Sequence, residues 1–341
     1  MSLPVAPTRI LIVGGGGREH ALAWKLAGEP GVNEIVVAPG SAAIGAEPLV
    51  RSLSDVHPLD PVAVVAAARS CSAELVVIGP EAPLAGGVAD ALAAAGIAVF
   101  GPSREAARIE TSKAFCHRVA AAAGVRMARA RAFMDGELEA ALDFAADLAA
   151  AGSGLVVKAD GLAAGKGVVV CDDLATAEIH IPALLAGALG DADEPRGGPR
   201  LVLEERLFGR EASVIAVTDG RVAVALPAAR DHKRLCDGDL GPNTGGMGAY
   251  SPVPDLPDEA AVELLDVIHR PLLAELARLG TPFRRGRADP QAERPRPSIR
   301  AKRCRLSPPT RTPHRAPCRQ AWCSCARFGA TTCAVAVKRR L

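Results

Sequence analysis

The first hundred residues alternate short apolar runs with stretches of helical periodicity, and this alternation leaves few possible folds. Runs this short and this apolar are typical of strands buried on both faces of a parallel sheet. The predicted strands are Arg9–Val13, Glu34–Val37, Leu75–Ile78 and Ile97–Phe100, and the predicted helices are Glu19–Leu26, Pro61–Arg69 and Leu84–Ala95. We therefore predict a doubly wound α/β domain over residues 1–105, which binds its ligand beyond the carboxyl ends of the strands.

The pattern changes beyond residue 105, where the strands no longer alternate regularly with helices. Asp219-Gly220 stands between two apolar runs and is a strong hairpin signal. The predicted helices are Ser112–Ala123, Glu137–Ala150, Leu174–Leu189 and Asp258–Leu279, and the predicted strands are Leu155–Val157, Val168–Val170, Leu201–Glu205, Glu211–Thr218 and Arg221–Pro227. We predict an α+β domain with antiparallel strands over residues 106–283, in which a smaller subdomain covers about residues 125–200.

The last part of the chain has a different composition from the rest. Residues 284–341 carry 14 Arg and 2 Lys against Asp289 and Glu293, so their net charge is +14, and the total of +2 leaves −12 for residues 1–283. This segment has no apolar periodicity and cannot bury enough surface to offset the entropy lost on folding. We expect residues 284–341 to be disordered or to be an out-of-frame translation.

Two other readings of the basic segment are less favoured. It lacks the interleaved aromatic residues of a nucleic-acid-binding module. A zinc site at His314, Cys318, Cys323 and Cys325 lacks paired C-x-x-C spacing. We therefore expect no nucleic-acid partner.

Composition also bears on location. No apolar run reaches the length of a membrane helix, and the start lacks a signal-peptide pattern. The four cysteines before residue 284 are scattered, as in proteins of reducing compartments. We expect a cytoplasmic protein with no membrane partner.

The first candidate site is GGGGREH (Gly14–His20), which directly follows the first strand. A dinucleotide fingerprint G-x-G-x-x-G fails here, because its third glycine falls on Glu19 or His20 and no acidic residue ends the second strand. A glycine turn that leads into a helix remains suited to a phosphate or carboxylate, or is a tight turn without a ligand. The candidate substrate-binding residues are Gly15, Gly16 and Gly17.

Glu81, in GPEAPL after the third strand, is a further candidate. Its carboxylate is placed to hold a substrate amine or hydroxyl, or else only caps a helix.

The sequence KADGLAAGKGVVV, residues 158–170, places a lysine in a strand just before a glycine-rich loop. It is not a Walker loop, because the spacing is one residue short and Gly167 stands where a hydroxyl would bind magnesium. A mobile glycine loop of this kind closes over nucleotide phosphates, unless it is a surface hairpin with solvated lysines. The candidate phosphate-binding residues are Lys158, Gly161, Gly165, Lys166 and Gly167.

Two further stretches carry polar groups next to strands. Glu204, Glu205 and Leu207 are candidates for contact with a base, and Glu211 for contact with a ribose hydroxyl. Asp231, His232 and Lys233 cluster charge before a long glycine loop, and such a loop is costly to keep unless it binds something. That loop adds the candidates Asn243, Thr244, Gly245 and Gly246.

These stretches resemble, in order, the glycinamide ribonucleotide synthetases (phosphoribosylamine–glycine ligases) of the ATP-grasp superfamily. The resemblance covers about residues 8–283 and is carried by GGGGREHALAWKLA, SKAF (Ser112–Phe115), KADGLAAGKGVVV, and DHKR with DGDLGPNTGGMGAYSP. It implies that residues 106–283 form an ATP-grasp domain whose glycine hairpin is a flap over ATP. It also implies that ATP phosphorylates glycine and that the amine of 5-phosphoribosylamine attacks the resulting glycyl phosphate, in purine biosynthesis.

The resemblance also implies roles for individual residues. Lys113 and Lys158 would hold the ATP phosphates, and Asp231, His232, Lys233 and the Asn243–Gly246 loop would position the reacting groups. The base contacts would come from Glu204, Glu205 and Leu207, the ribose contact from Glu211, and the phosphoribosylamine side from the Gly14–Gly17 turn.

One departure from the family concerns the metal. After Pro282-Phe283 the family continues with two strands, and a Glu and an Asn of the second bind Mg²⁺ or Mn²⁺, but this chain contains neither stretch. Several kcal/mol of transition-state stabilisation would then be missing, so we expect ATP and a divalent cation as the family's cofactors but doubt full activity. We expect small-molecule partners (ATP, glycine, 5-phosphoribosylamine) and a monomer. The alternatives are another ATP-grasp carboxylate–amine ligase, or a nucleotide-binding chain without catalysis.

Overall fold

The computed structural model describes residues 6–152, 154–162, 167–186, 198–238, 240–244, 246–283 and 337–338. The N-terminal part is a parallel five-stranded sheet with strand order β3-β2-β1-β4-β5. Its elements are β1 (Arg9–Gly14), α1 (Gly17–Ala27), β2 (Glu34–Pro39), α2 (Ala42–Gly45), β3 (Val50–Ser52), α3 (Pro61–Ser70), β4 (Leu75–Ile78), α4 (Glu81–Ala85), α5 (Val88–Ala94), β5 (Val99–Phe100) and α6 (Arg104–Thr111). The predicted doubly wound α/β fold is confirmed.

The central strand β1 explains why the apolar runs are uninterrupted. Leu11 and Val13 pack into the core on one side of the sheet, whereas Ile10 and Ile12 pack into a separate core on the other side. Strand order reverses between β1 and β4, which are hydrogen-bonded neighbours. The loops after these two strands therefore meet at one edge, where ligands of such sheets bind.

The predicted helix Leu84–Ala95 is wrong as a single element. The structure has two helices, α4 and α5, which are separated at Gly86-Gly87. Gly87 has a left-handed φ of +81°, a backbone conformation that ends a helix and that glycine adopts without strain. Strand β3 was not predicted, because it is only three residues long and Arg51 is exposed.

A second, antiparallel sheet has strand order β6-β9-β7-β8. Its strands and helices are β6 (Ala130–Phe133), α8 (Leu138–Ala150), β7 (Leu155–Ala159), β8 (Val168–Cys171), α9 (Leu174–Leu185) and β9 (Leu201–Glu205), and helix α7 (Lys113–Ala122) precedes them. The predicted hairpin of β7 and β8 is confirmed. Helix α9 was predicted to reach Leu189, but residues 187–197 lie outside the described part of the chain.

The rest of the second half consists of two-stranded ladders and helices. The hairpin at Asp219-Gly220 is confirmed, but the predicted strands 211–218 and 221–227 are too long, because its regular ladder joins only Ala216–Thr218 to Ala223–Ala225. The elements are β10 (Ser213–Val214), β11 (Ala216–Thr218), β12 (Ala223–Ala225), β13 (Arg230–Asp231), β14 (Arg234–Cys236), β15 (Leu240–Asn243), β16 (Ala249–Tyr250), α10 (Asp258–Leu264), α11 (Arg270–Arg278) and β17 (Val337–Lys338).

Helices α10 and α11 are joined by the π-helical turn Leu265–His269, so the predicted helix Asp258–Leu279 is one helical stretch with a local widening. Pro271 follows this turn and has no N–H to donate one turn back, which accounts for the irregular turn before it.

Helix α7 links the antiparallel sheet to the remainder of this half. Its residues Phe115, Cys116 and Val119 are buried in the same core as Val214 and Leu272. Its other face carries Lys113 and His117 toward the sheet. The predicted basic segment 284–341 lies outside the described residues except for β17, which pairs with β10. Within the described ranges, no helix is both long and apolar enough to cross a bilayer.

Candidate functional site

The strand lysine singled out from the sequence lies in a cluster of three ionisable side chains, two of them buried. Lys158 of β7 and Glu204 of β9 are diagonal neighbours on one face of the sheet, since Val156 pairs with Glu204 and Lys158 pairs with Val202. Lys158 Nζ lies 2.5 Å from Glu204 Oε2, and His117 Nε2 lies 2.9 Å from Glu204 Oε1. Both oxygens of one carboxylate are thus occupied by groups from two other elements.

Burial sets the charge state of this cluster. Lys158 and Glu204 are each 7% exposed. Burial alone would raise the pKa of Glu204, but the Lys158 ammonium and the His117 ring lower it to about 2. Because an ionised carboxylate only accepts hydrogen bonds, His117 Nε2 must carry the donated proton. Lys158 is therefore held as a paired cation, and the reading of a surface hairpin with solvated lysines is wrong for Lys158.

The amino end of helix α7 is hydrogen-bonded to the base of the same hairpin. Asp160 follows β7 directly, and its carboxylate accepts from Ser112 Oγ at 2.8 Å and from the Ala114 N–H at 3.1 Å. Lys113 Nζ donates to the carbonyl oxygen of Gly161 at 2.8 Å. An aspartate at a helix amino end also interacts favourably with the helix dipole. Of the two predicted ATP lysines, Lys113 thus contacts the start of the glycine loop, and Lys158 lies on the strand that leads into it.

The glycine loop itself is only partly described. Gly161 has a left-handed φ of +95°, and the Ala159 N–H donates to the Gly167 carbonyl at 2.8 Å, which closes the hairpin at its base. The predicted phosphate-binding residues Gly165 and Lys166 lie outside the described residues. Their role stays a prediction.

The other predicted nucleotide contacts lie at and after the end of β9. Glu205 Oε1 accepts from the Arg129 N–H at 2.9 Å, so its carboxylate is occupied on the side away from Lys158. Leu207 is half-buried after the strand end. Glu211 is exposed, and its carbonyl accepts from Arg230 Nε at 2.7 Å.

The predicted reacting-group loop folds back on itself. Asp231 and Lys233 form an ion pair, and the backbone of His232 pairs with Gly248. Thr244 Oγ1 donates to the Lys233 carbonyl at 3.0 Å and accepts from the Gly246 N–H at 3.1 Å. The structure therefore brings together five of the seven residues predicted here, whereas Gly245 lies outside the described residues and only the backbone of Asn243 is described, in β15.

The glycine turn after β1 is shaped by Glu19, which is 3% exposed. Its carboxylate accepts from the Gly16 N–H at 2.7 Å and from Arg18 Nε at 2.8 Å. A Cβ at Gly79 would lie 2.0 Å from Glu19 Oε1, so the loops after β1 and β4 both pack on this carboxylate. Glu81 is the first residue of α4, at the same edge of the sheet.

A cavity of about 590 Å³ lies beside this turn and is lined by Gly40, Ser41, Ser52 and Ser54 together with Pro39, Ala42 and Gly45. A Cβ at Gly15 would lie 2.7 Å from the Gly40 carbonyl oxygen, so the two glycine loops are in direct contact. Gly15 therefore adjoins the loop that lines this cavity, whereas the nearest contact of Gly16 is with Glu19 and Gly17 faces open space.

The residues present do not fit the divalent cation that the family resemblance implies. Across the described ranges, no three His, Cys, Asp or Glu side chains come together in a way that would hold a metal ion.

Sequence reasoning missed His117, Asp160 and the structural role of Glu19. His117 lies four residues after Lys113, so the two share a helix face, and this spacing was the available signal. Asp160 and Glu19 each lie within a motif that was recognised for its glycines. Neither had a sequence feature that distinguishes a buried carboxylate from a solvated one.

Two family models match this chain, one to each of two successive segments. Residues 8–110 match the model of the phosphoribosylglycinamide synthetase N domain, and residues 111–286 match that of the phosphoribosylglycinamide synthetase ATP-grasp (A) domain. Together these segments cover the two halves of the described fold.

Curated relatives include phosphoribosylamine–glycine ligases. That of Streptomyces coelicolor is 49% identical over 276 residues, which cover 81% of this chain and 61% of the relative. That of Allochromatium vinosum is 46% identical and covers 81% of this chain and 62% of the relative. The chain thus spans about three fifths of the length of these relatives.

Solved structures of similar fold cover about four fifths of this chain. The phosphoribosylamine–glycine ligase of Thermotoga maritima matches with a TM-score of 0.63 and 33% identity, over 80% of this chain and 62% of that one. An ADP complex of N5-carboxyaminoimidazole ribonucleotide synthetase matches with a TM-score of 0.54 and 18% identity, over 81% of this chain and 66% of that one, and shares the fold. The chain therefore belongs to the phosphoribosylglycinamide synthetase family.

Proposed function

We propose that this chain uses ATP to join glycine to 5-phosphoribosylamine, giving glycinamide ribonucleotide, ADP and phosphate in purine biosynthesis. The observation that carries the proposal is the buried Lys158–Glu204 pair at the base of the glycine hairpin, within a segment that matches the ATP-grasp family model. The names of the curated relatives support the choice of substrates.

The chemistry proceeds in two steps. A carboxylate is a poor acyl donor, so an oxygen of the glycine carboxylate first attacks the γ-phosphorus of ATP, and ADP leaves. The amine of 5-phosphoribosylamine then attacks the carbonyl of the glycyl phosphate, phosphate leaves with the electron pair of the broken C–O bond, and the amine loses a proton. Neither step needs a covalent enzyme intermediate, so the protein contributes mainly positioning and positive charge.

The nucleotide side of the site lies between β7, β9 and helix α7. Lys113 and Lys158 provide the cations for the phosphates, and Gly161, Gly165, Lys166 and Gly167 form the flap over them. Glu204, Glu205 and Leu207 are proposed to contact the adenine and to form the hinge. Glu211 is proposed to contact the ribose. Closure of the flap would exclude water from the reactive glycyl phosphate.

The substrate side uses other groups. Asp231, His232 and Lys233, with Asn243, Thr244, Gly245 and Gly246, are proposed to position the reacting groups. Gly15, Gly16, Gly17 and Glu81 are proposed to bind the sugar phosphate and amine at the edge of the parallel sheet. The cavity beside Gly40 and Ser41 has room for such a ligand.

The divalent cation, Mg²⁺ or Mn²⁺, has no matching ligand set among the described residues. We therefore propose slower phosphate release than by the curated relatives, because the stabilisation that a bound cation gives the transition state is weaker here. We further propose a monomer in the cytoplasm.

The test is phosphate release by the purified 341-residue chain with ATP, MgCl₂, glycine and 5-phosphoribosylamine, each omitted in turn. The proposal predicts release above background only when all four are present. Release that does not need glycine, but needs another carboxylate, would favour a different ATP-grasp ligase. ATP binding without any release would favour a non-catalytic nucleotide-binding chain.

A further inference from the structure

His117 is a half-buried ionisable residue that the proposed mechanism does not use. Its side chain is 17% exposed, and its ring nitrogen reaches Glu204 Oε1 from helix α7. The other oxygen of the same carboxylate holds Lys158. His117 therefore contacts the proposed ATP lysine only through Glu204.

The three groups come from three separate elements. Lys158 is on β7, Glu204 is on β9 and His117 is on helix α7, whose opposite face is anchored in the core with Phe115 and Val119. A long lysine side chain has many rotamers, and its position is fixed only as well as its partner is fixed. Because both Glu204 oxygens are occupied, the carboxylate cannot rotate without losing a hydrogen bond.

The alternative is that His117 only helps to dock helix α7 onto the sheet. That docking already has other contacts, namely those of Ser112 and Ala114 with Asp160 and of Lys113 with Gly161. A purely structural role would therefore add little to docking. The His117 ring points at the carboxylate that holds Lys158, and a role in positioning Lys158 explains this direction better.

We propose that His117 is a positioning residue for ATP, which fixes the Glu204 carboxylate and through it the Lys158 ammonium. This inference rests on the proposed function in assigning ATP to the site. The geometric part, that His117 holds Lys158 in place, does not depend on any ligand.

The experiment compares His117→Ala, which removes the donor, with His117→Gln, whose side-chain amide supplies an N–H at a similar reach. His180→Ala is the matched control, because His180 lies on helix α9, which packs against the same sheet, and within the described part of the chain no hydrogen bond or ion pair of Lys158, Glu204 or His117 involves it. The full chain is used throughout.

Two readouts are taken on each variant. The first is the dissociation constant of ATP, by calorimetric titration. The second is the rate at which acetic anhydride modifies Lys158 without nucleotide, measured by peptide mass spectrometry. Lys25, whose side chain is 68% exposed, serves as the internal standard.

We expect His117→Ala to weaken ATP binding about tenfold, in line with the loss of a hydrogen bond to a buried charge, and to speed Lys158 modification at least about fivefold. His117→Gln should restore both values to within about threefold of the unchanged chain. His180→Ala should change neither.

The outcomes separate the inference from the proposed function. Faster Lys158 modification in His117→Ala, reversed in His117→Gln, supports the positioning role whether or not the unchanged chain binds ATP. Failure of the unchanged chain to bind ATP would overturn the proposed ATP site and leave the positioning role standing. Unchanged Lys158 modification in His117→Ala overturns the inference. Equal weakening of ATP binding in the His117→Ala and His117→Gln variants also overturns the inference.

Discussion

The two sheets of this molecule build their candidate sites by different means. At the edge of the parallel sheet, the site consists of backbone groups of the glycine turn, in which Gly14 and Gly16 lie against the buried carboxylate of Glu19. On the antiparallel sheet, it consists of charged side chains, Lys158 and Glu204, which project from strand faces and are covered by helix α7. Backbone sites tolerate changes of side chain but not added volume, whereas a buried charge pair tolerates modest changes of shape but not the loss of one partner.

The largest expected effect tests the second half of that comparison. Glu204→Ala leaves Lys158 buried without its partner, and we expect a loss of about 3–5 kcal/mol in the free energy of unfolding. Urea unfolding at pH 7 measures it. The matched control is the double variant with Lys158→Met and Glu204→Met, which should recover most of the loss because it removes both charges. A loss below about 1 kcal/mol in Glu204→Ala would mean that the pair is not buried as described.

The second effect is a loss of unfolding free energy as the pH is lowered. The pKa of the Glu204 carboxyl lies at about 2 in the folded chain, against 4.5 as its reference value, so between these pH values the unfolded chain binds more protons than the folded chain. The stabilisation is therefore complete above pH 4.5 and is lost as the pH falls toward 2, by about 3 kcal/mol at most. Unfolding free energies measured from pH 6 to 2 should fall more steeply for the unchanged chain than for the Lys158→Met, Glu204→Met double variant. Parallel curves would contradict the assigned pKa.

The third effect tests the backbone site. A Cβ at Gly15 would lie 2.7 Å from the Gly40 carbonyl oxygen, whereas a Cβ at Gly17 meets nothing within 4 Å. We expect Gly15→Ala to destabilise the chain by about 1–3 kcal/mol and Gly17→Ala to be neutral or slightly stabilising. Thermal unfolding of the two variants gives the comparison, and equal effects would show that the two glycine loops are not in contact.

The smallest effect concerns the junction of helix α7 with the hairpin. Asp160→Asn keeps the shape of the side chain but removes the charge that faces the amino end of α7, and we expect a loss of about 1 kcal/mol. Asp135→Asn, at an exposed aspartate outside the cluster, should change the unfolding free energy by less than about 0.5 kcal/mol. Equal losses in both would show that Asp160 does not anchor the hairpin.

The two sheets also differ in how far the sequence predicted them. The parallel sheet was predicted strand by strand except for β3, because strands such as β1 are buried on both faces and read as unbroken apolar runs. Strand β6 was missed, since Arg131 and Ala132 are exposed and give the run no apolar character. The limits of β10 to β12 were wrong because pairing partners, which set strand length, are not encoded locally.

The site residues divide in a similar way. Lys158 was recognisable because a lysine inside an apolar strand is unusual, and Gly161 because it starts a glycine-rich loop. The partnership of Lys158 with Glu204 and His117 joins residues 46 and 87 positions apart, and only the folded chain brings them together. Long-range pairs of this kind cannot be read from spacing along one element.

The central claim is that ATP binds at the antiparallel sheet and the sugar phosphate at the edge of the parallel sheet. Hydrogen–deuterium exchange of the full chain tests it directly, with ATP in one sample and ribose 5-phosphate, a stable stand-in for the sugar phosphate, in another. The account predicts that ATP slows exchange in peptides covering residues 155–171 and 201–207, and that ribose 5-phosphate slows exchange at residues 14–20. Slowing by ATP at residues 14–20, with no change at residues 155–171, would contradict it.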